Sequence, residues 1–344
     1  MLDPRHDAHA TPDRPVDDRL QVVRRHVGAA DVVALEACTA QLRALDHRHG
    51  GGRCADEVVA RLPMALALLP LASTERVGHA LRTAVADLHN LAGWVCFDTG
   101  RTGEALRHFR TALALSETNG DQALVSNVHY RLGRVHLHHG APRSAEAEFR
   151  TAERAARASG SALARAVVAA NQAWAHAQMG SARRAAALLA EAADHHARAQ
   201  GDPVPGWAAF FTGVELSAIG GVVHAELART GDPLAVGEAV RLLTGAVDGF
   251  TADMARSRAF SLVPLAACHL LDGQVDRGTR LGEDAVDLCQ VLVSARTTAR
   301  LRPLLDAARG RPAHRGARAL AERIDRFRPA GTATGWSAAG FPDR

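Results

Sequence analysis

An internal repeat constrains the fold of this chain more than any other feature of the sequence. Glycine recurs at Gly100, Gly140 and Gly180, a step of 40 residues. Four further columns keep the same step: Gly93, Gly133 and Ala173; Ala105, Ala145 and Ala185; Phe109, Phe149 and Leu189; Ala112, Ala152 and Ala192. Columns that recur in threefold register indicate a repeated supersecondary unit, which buries its core along one axis rather than in a single globule.

The spacing within one unit predicts a hairpin of two helices. Gly133 stands in the middle of the first predicted helix, where a missing side chain lets a second helix approach closely. Gly140 follows in the position where a left-handed glycine ends a helix. The second helix then presents Ala145, Phe149 and Ala152 on one face of a 3.6-residue period. Such a hairpin leaves one apolar face exposed, so neighbouring hairpins must stack to cover it.

Composition supports an all-α chain and shows which residue types are informative. Hydrophobic residues make up 47% of the sequence and aromatic residues only 4%, so the core must consist mainly of Ala, Leu and Val. Ala has the highest helix propensity. All 41 basic residues are Arg, which indicates a GC-rich genome. Arg richness therefore says little about function, whereas the four Asn, the single Tyr and the four Trp are worth locating.

The flanking segments complete the predicted organisation. The predicted parts are a disordered lead over 1–25; a helical pair over 26–72, with helices at about Asp31–His49 and Ala55–Leu69; a repeat array over 73–328; and a flexible tail over 329–344. Within the array, degraded repeats surround Gly231 and Gly273. Two terminal helices, about Ser294–Ala308 and His314–Phe327, are expected to cap it.

These units resemble the tetratricopeptide repeat. The resemblance rests on His129-x-x-Leu132-Gly133-x-x-His136 followed by Ala145, Phe149 and Ala152. The period of 40 residues exceeds the 34 of the family, the terminal Pro is absent, and His replaces the usual large aromatic residues. The resemblance implies an all-α, right-handed superhelical solenoid of tetratricopeptide-like hairpins, whose concave side is lined by the first helix of each unit.

A second resemblance concerns regulation. The stretches 43–52, 88–94, 130–136, 294–297 and 301–304 are similar to the sensor region of actinobacterial Xre-type transcriptional regulators. This implies a role in the control of transcription, development or secondary metabolism. Fewer residues precede the first predicted helix than a helix-turn-helix domain needs, and none of them forms a recognition-helix pattern. We therefore expect that this chain does not itself read DNA.

The concave positions implied by the tetratricopeptide resemblance form the candidate site. They are Asp87, Asn90, Trp94, Asn127, Tyr130, Arg131, Arg134, His138, Asn171, Trp174 and Gln178. This set holds three of the four Asn, the only Tyr and two of the four Trp. Asn amides can bond a ligand backbone, Arg binds a carboxylate with two hydrogen bonds, and aromatic rings give rigid contact area. The set predicts a site for a peptide or a partner-protein segment. The alternative is that Trp94 and Trp174 are core residues and the polar residues merely solvate a groove.

Other chemistries find little support. No nucleotide-binding, hydrolase or metalloprotease motif is present, so we predict no enzyme, no catalytic residue and no cofactor. His136, His138 and His139 lack the i, i+4 spacing of zinc-binding helices, so no metal site is predicted. Five Cys without a CxxC pair indicate reduced thiols. Without a signal peptide or an apolar run that could cross a bilayer, the chain is expected to be cytoplasmic, with no membrane partner.

The remaining question is the class of partner. The net charge of +4 is too small to predict nucleic acid, although residues 296–328 contain ten Arg. A protein or peptide partner is preferred. The alternatives are a transcriptional regulator that contacts DNA directly or through a partner chain, and a structural scaffold without a ligand. The sequence leaves open whether two copies form a homodimer.

Overall fold

The computed structural model describes residues 26–330, and these residues fold into fourteen α-helices. The helices are α1 (Ala29–His49), α2 (Ala55–Leu68), α3 (Glu75–Asp98), α4 (Thr102–Thr118), α5 (Gln122–His138), α6 (Pro142–Ser159), α7 (Ala162–Gln178), α8 (Ala182–Arg198), α9 (Gly213–Arg229), α10 (Ala235–Gly249), α11 (Ala255–Leu271), α12 (Val275–Val291), α13 (Arg296–Arg309) and α14 (Arg315–Asp325).

The predicted all-α repeat solenoid is confirmed. The predicted lead over 1–25 and nearly all of the predicted tail lie outside the described residues. Among the helices described, none is long and apolar enough to cross a membrane.

Successive helices from α3 onward pack as hairpins: α3 with α4, α5 with α6, α7 with α8, α9 with α10, and α11 with α12. In the regular part, a left-handed glycine ends each helix at a step of 20 residues. These are Gly100, Gly120, Gly140, Gly160 and Gly180, with φ between 69° and 80°. One helix and its turn therefore occupy 20 residues, which accounts for the 40-residue period of a hairpin.

The small residue in each first helix lets the second helix approach closely, as predicted. A Cβ atom added to Gly93 would lie 2.6 Å from Cδ1 of Phe109, and one added to Gly133 would overlap the ring of Phe149. The same contact recurs in the degraded fourth hairpin, where a Cβ on Gly221 would lie 2.5 Å from Cγ of Leu243. Glycine is required at these positions because helix packing leaves no room for a side chain.

The segment between α8 and α9 departs from the repeat. Residues 199–212 form a longer connection with three aromatic side chains, of which Trp207 and Phe211 are buried in the core. The third, Phe210, stacks on Tyr130 of α5 with ring centroids 6.4 Å apart. This connection therefore packs against α5, the first helix of the second hairpin. The repeat pattern did not predict that contact.

The solenoid closes on itself, because its first and last parts are hydrogen-bonded together. The backbone N–H of Gly52 donates to the carbonyl of Val293 at 2.9 Å, and the N–H of Val293 donates to the carbonyl of His49 at 3.0 Å. The N–H of Ala295 donates to the carbonyl of Asp98 at 2.7 Å. A Cβ on Gly52 would overlap the side chain of Val293, so the glycine run after α1 permits this close approach.

Candidate ligand-binding site on the inner face

The structure places the predicted site residues on the first helices of three neighbouring hairpins, α3, α5 and α7, which together form the inner face. Side-chain hydrogen bonds join these helices. The Asn90 amide donates to the Asn127 side-chain oxygen at 2.9 Å, and the Arg134 guanidinium donates to Asn171 Oδ1 at 3.2 Å. The amide of Asn171 donates in turn to the carbonyl of Val167 at 2.8 Å. The polar residues chosen from the sequence therefore lie on one face and in the expected register.

Much of this face is covered by other parts of the chain. The covered part comprises Asp87, Asn90, Trp94, Asn127, Tyr130 and Arg131. Helix α1 lies over it, with Arg43 paired to Asp87 at 2.6 Å. Asn90 is fully buried, and its backbone carbonyl accepts a hydrogen bond from Arg131 at 2.7 Å. Two of the Asn side chains expected to bond a ligand backbone, Asn90 and Asn127, are hydrogen-bonded to each other.

Both Trp residues of the inner face are buried, which is the alternative considered for them above. Trp94 is 7% exposed, and the guanidinium carbon of Arg296 lies 4.5 Å from its ring centroid. Trp174 is 5% exposed and contacts the guanidinium of Arg134 at 4.8 Å. Burial and the nearby Arg43 lower the pKa of Arg131 to about 10.

Two ion pairs between residues far apart in sequence hold the cover in place. Asp98 is fully buried and accepts hydrogen bonds from the N–H of Gly51 at 2.6 Å, from the Ser294 hydroxyl at 2.8 Å and from Arg296. Asp46 of α1 pairs with Arg256 of α11. Burial alone would raise the pKa of Asp46, but the Arg256 guanidinium outweighs it and the pKa is lowered. Sequence patterns could not show these pairs, because their partners are separated by about two hundred residues.

Beyond the cover, the inner face opens into a cavity of about 450 Å³ between α5, α7, α9, α11 and α13. We call this region the open part. Three of the predicted site residues line it: His138, Trp174 and Gln178. Its volume falls within the range of small-molecule sites, which are mostly apolar with a few polar groups.

Arg300 of α13 is the principal charged group of this cavity. Its guanidinium carbon lies 4.7 Å from the centroid of Trp174 and 5.3 Å from that of Phe260. Within the described part of the chain, no carboxylate forms an ion pair with Arg300, and its buried Nε has no hydrogen-bond partner. Burial, together with Arg134 and Arg296, lowers the pKa of Arg300 well below its usual range.

His138 lies between two arginines at the junction of the covered and open parts. Its Nε2 is 3.4 Å from Nη1 of Arg296 and 3.5 Å from Nη2 of Arg300. Burial lowers the pKa of His138 well below its usual range, and both arginines lower it further. The imidazole is therefore neutral near pH 7, so Nε2 can accept a hydrogen bond from a guanidinium.

The cavity residues of α9, α11 and α13 were missed by the sequence reasoning, although one signal pointed towards α13. Arg296 and Arg300 are four residues apart, which places both on the same face of a helix. They belong to the Arg-rich stretch 296–328, for which the sequence pattern predicts only a cap. Other arginines of that stretch are engaged within the protein: Arg309 pairs with Asp325 at 2.8 Å, and Arg323 pairs with Asp287.

Two histidines of the repeats contact acidic side chains, whereas His89 and His108 contact each other. Nδ1 of His129 is 2.7 Å from Glu148, and Nε2 of His176 is 3.7 Å from Glu146. Over residues 26–330, no group of three or more His, Cys, Asp or Glu side chains is placed to hold a metal ion. The five cysteines are all free.

Comparison with known proteins bears on the regular part of the array. The family model described as the tetratricopeptide repeat matches residues 82–158, which span most of α3 to α6. Residues 82–158 are therefore similar to tetratricopeptide repeats, and such repeats generally mediate protein–protein interactions. No curated protein matches the chain.

Proposed function

We propose that the chain is a non-enzymatic regulatory module of the cytoplasm that binds a peptide or an extended segment of a partner protein at the mouth of the cavity in the open part of the inner face. The cavity carries this proposal. At its mouth, Leu271 is 44% exposed, and the charged Arg229 and Asp306 surround the apolar interior. An apolar centre with a polar rim is the usual arrangement of a protein interface.

The regulatory part of the proposal rests on the closure of the solenoid and on the resemblance to Xre-type sensor regions. A partner that contacts both α7 and α13 would bridge the regular hairpins and the closing helices. The transcription, development or secondary metabolism named by the resemblance would then be controlled through the partner protein. The engagement of many arginines of 296–328 inside the molecule favours a protein partner over DNA.

Site-specific photo-crosslinking tests where the partner binds. A photoreactive residue in place of Leu271, at the mouth of the cavity, should crosslink to a discrete partner in lysate of the native host. The matched control replaces Val291, an apolar residue that is 72% exposed at the end of α12 and does not line the cavity. Identical products at both positions, or none at Leu271, would contradict the proposal.

A second test concerns Arg134, which contacts Trp174 beside the cavity. Arg134→Ala should weaken partner capture, whereas Arg150→Ala, on the exposed surface of α6, should leave it unchanged. Titration with duplex DNA at increasing salt distinguishes the alternative function. Sequence-specific DNA binding near physiological salt would favour a regulator that reads DNA directly.

A further inference from the structure

The geometry of the cavity points to a small-molecule ligand in addition to the partner protein. We propose that the cavity binds an apolar carboxylic acid, with the carboxylate on Arg300 and the hydrocarbon part against α9 and α11. The binding of such an acid does not require the partner proposed above, so the two can be tested separately.

The need for an anion follows from the charge of Arg300. Arg300 and Trp174 both line the cavity and contact each other. Arg300 is half-buried, and among the described residues no carboxylate forms an ion pair with it. A guanidinium stays charged near neutral pH, and a charge that is partly removed from water without an ion-pair partner is unfavourable. A carboxylate can accept two hydrogen bonds from the accessible part of the guanidinium and supplies the opposite charge, which a neutral ligand does not.

The acidic residues near Arg300 do not take the place of the ligand. Glu226 lines the cavity, but its carboxylate is paired with Arg229 at 2.8 Å. Glu215 of α9 also lies near enough to favour the charged form of Arg300, but burial raises the pKa of Glu215, and among the described residues it forms no ion pair with Arg300. Asp306 lies at the exposed mouth, and in the described structure it forms no ion pair with Arg300. Together with the neutral His138, these residues make the cavity suited to a single negative charge rather than to a phosphate dianion.

The other residues of the cavity wall determine which chemical group the carboxylate can be attached to. It is formed by the apolar side chains of Val222, Ala225, Phe260, Val263, Pro264 and Ala267. A peptide in this space would bring backbone N–H and C=O groups that these side chains cannot bond, and leaving such groups unpaired is costly. A hydrocarbon chain has no such groups and gains from burial. The deep part of the cavity therefore favours an alkyl or aryl acid over a peptide.

Isothermal titration calorimetry with a homologous series tests the proposal. Hexanoate, octanoate and decanoate should bind the full chain with affinity that rises by up to about fourfold for each added methylene. Octanol and octylammonium, which match octanoate in chain length, should bind at least about tenfold more weakly because they lack the charge that Arg300 selects. Equal affinity for octanoate and octanol would overturn the assignment of the carboxylate to Arg300.

Two variants separate the charge from the shape of the site. Arg300→Gln should weaken octanoate binding at least about tenfold, whereas Arg302→Gln, exposed on the same helix, should not change it. Ala225→Phe fills the cavity while leaving Arg300 in place, and should abolish decanoate binding. Thermal unfolding followed by circular dichroism establishes that each variant is folded. Retention of octanoate affinity in folded Arg300→Gln would overturn the proposal.

The outcome also distinguishes this inference from the proposed function. If no carboxylate of the series binds while the Leu271 crosslink to a partner persists, the acid site is wrong and the partner site stands. If octanoate binds but no crosslink forms, the acid site stands and the proposed partner site is wrong. If a tripeptide such as Ala-Ala-Leu binds more tightly than octanoate, the cavity recognises a peptide end. That result would overturn the proposal of an apolar acid as the ligand.

Discussion

The covered and open parts of the inner face are built from the same repeat, yet their charges are arranged differently. In the covered part, Arg43 is paired with Asp87 and Arg296 with Asp98, so that buried charges compensate one another. In the open part, Arg300 has aromatic neighbours but no ion-pair partner within the described residues. Two arginines one helical turn apart on α13 therefore have different roles. The first closes the solenoid, and the second is available to a ligand.

The difference arises because different helices face the covered part and the open part. Helix α1 supplies the guanidinium of Arg43 to Asp87, and the start of α13 and the residues just before it supply Arg296 and the Ser294 hydroxyl to Asp98. Over α7, the facing helices α9 and α11 are largely apolar and stand far enough away to leave a cavity. An inner face identified by repeat position alone is thus an interior contact at one end and the wall of a cavity at the other.

Removing the paired arginine should have the largest effect on stability. Arg296→Gln leaves the carboxylate of Asp98 buried without its counter-charge, so we expect a loss of about 3–5 kcal/mol in the free energy of unfolding. Urea denaturation monitored by circular dichroism measures it. Arg323→Gln, which breaks an exposed ion pair with Asp287, is the control and should cost no more than about 1 kcal/mol. Equal losses in the two variants would mean that Asp98 and Arg296 do not hold the closure.

Disturbing the close helix contact beneath the covered part should have the second largest effect. Gly133→Ala puts a methyl group into the ring of Phe149, so we expect a loss of about 1–3 kcal/mol from overpacking. The matched control is Gly103→Ala in α4, where a Cβ meets no described atom within 4 Å. There alanine should stabilise the helix by up to about 1 kcal/mol. A melting temperature that is unchanged by Gly133→Ala would contradict the hairpin packing.

His138, at the boundary of the two parts, should make stability depend on pH. Its pKa is lowered in the folded protein relative to the ordinary histidine value of 6.5. The unfolded chain therefore binds one more proton as the pH falls below about 6.5, and this contribution to stability is complete above that pH and is lost below it. In His138→Gln, the slope of stability against pH should be smaller by up to about 1.4 kcal/mol per pH unit. Replacing the exposed His79 should leave the slope unchanged.

Removing the unpaired arginine should have the smallest effect. Arg300→Gln loses cation–π contacts with Trp174 and Phe260 but also removes an uncompensated buried charge, so the two changes offset each other. We expect the free energy of unfolding to change by less than about 1 kcal/mol in either direction. A loss as large as that of Arg296→Gln would show that Arg300 is part of the structural framework, and the contrast between the two arginines would disappear.

The sequence predicted the local structure because its determinants are close together along the chain. The glycine that ends each helix, the small residue that permits helix contact and the Ala–Phe–Ala face of the second helix all lie within one 40-residue unit. The tetratricopeptide resemblance implied that Asn90, Asn127, Arg134 and Asn171 share one face, and in the structure they hydrogen-bond across neighbouring helices.

The sequence could not show which part of that face is accessible. Accessibility is decided by α1, by Phe210 and by α13, which reach the inner face from distant positions in the chain. The concentration of the scarce Asn, Tyr and Trp residues on the inner face predicts a binding surface there. For Asn90, Asn127 and Tyr130, however, the structure shows contacts within the molecule, and their binding of a ligand remains a prediction.

The repeat period, the helical hairpins and the register of the inner face were therefore determined by the sequence alone, since each depends on contacts between residues within one or two units. Only the tertiary structure decided that the solenoid closes, that Asp98 forms an ion pair with Arg296, and that Arg300 lines a cavity without an ion-pair partner among the described residues. Closure brings together residues about two hundred positions apart. No periodicity encodes such a contact, because it depends on the accumulated rotation of every hairpin between them.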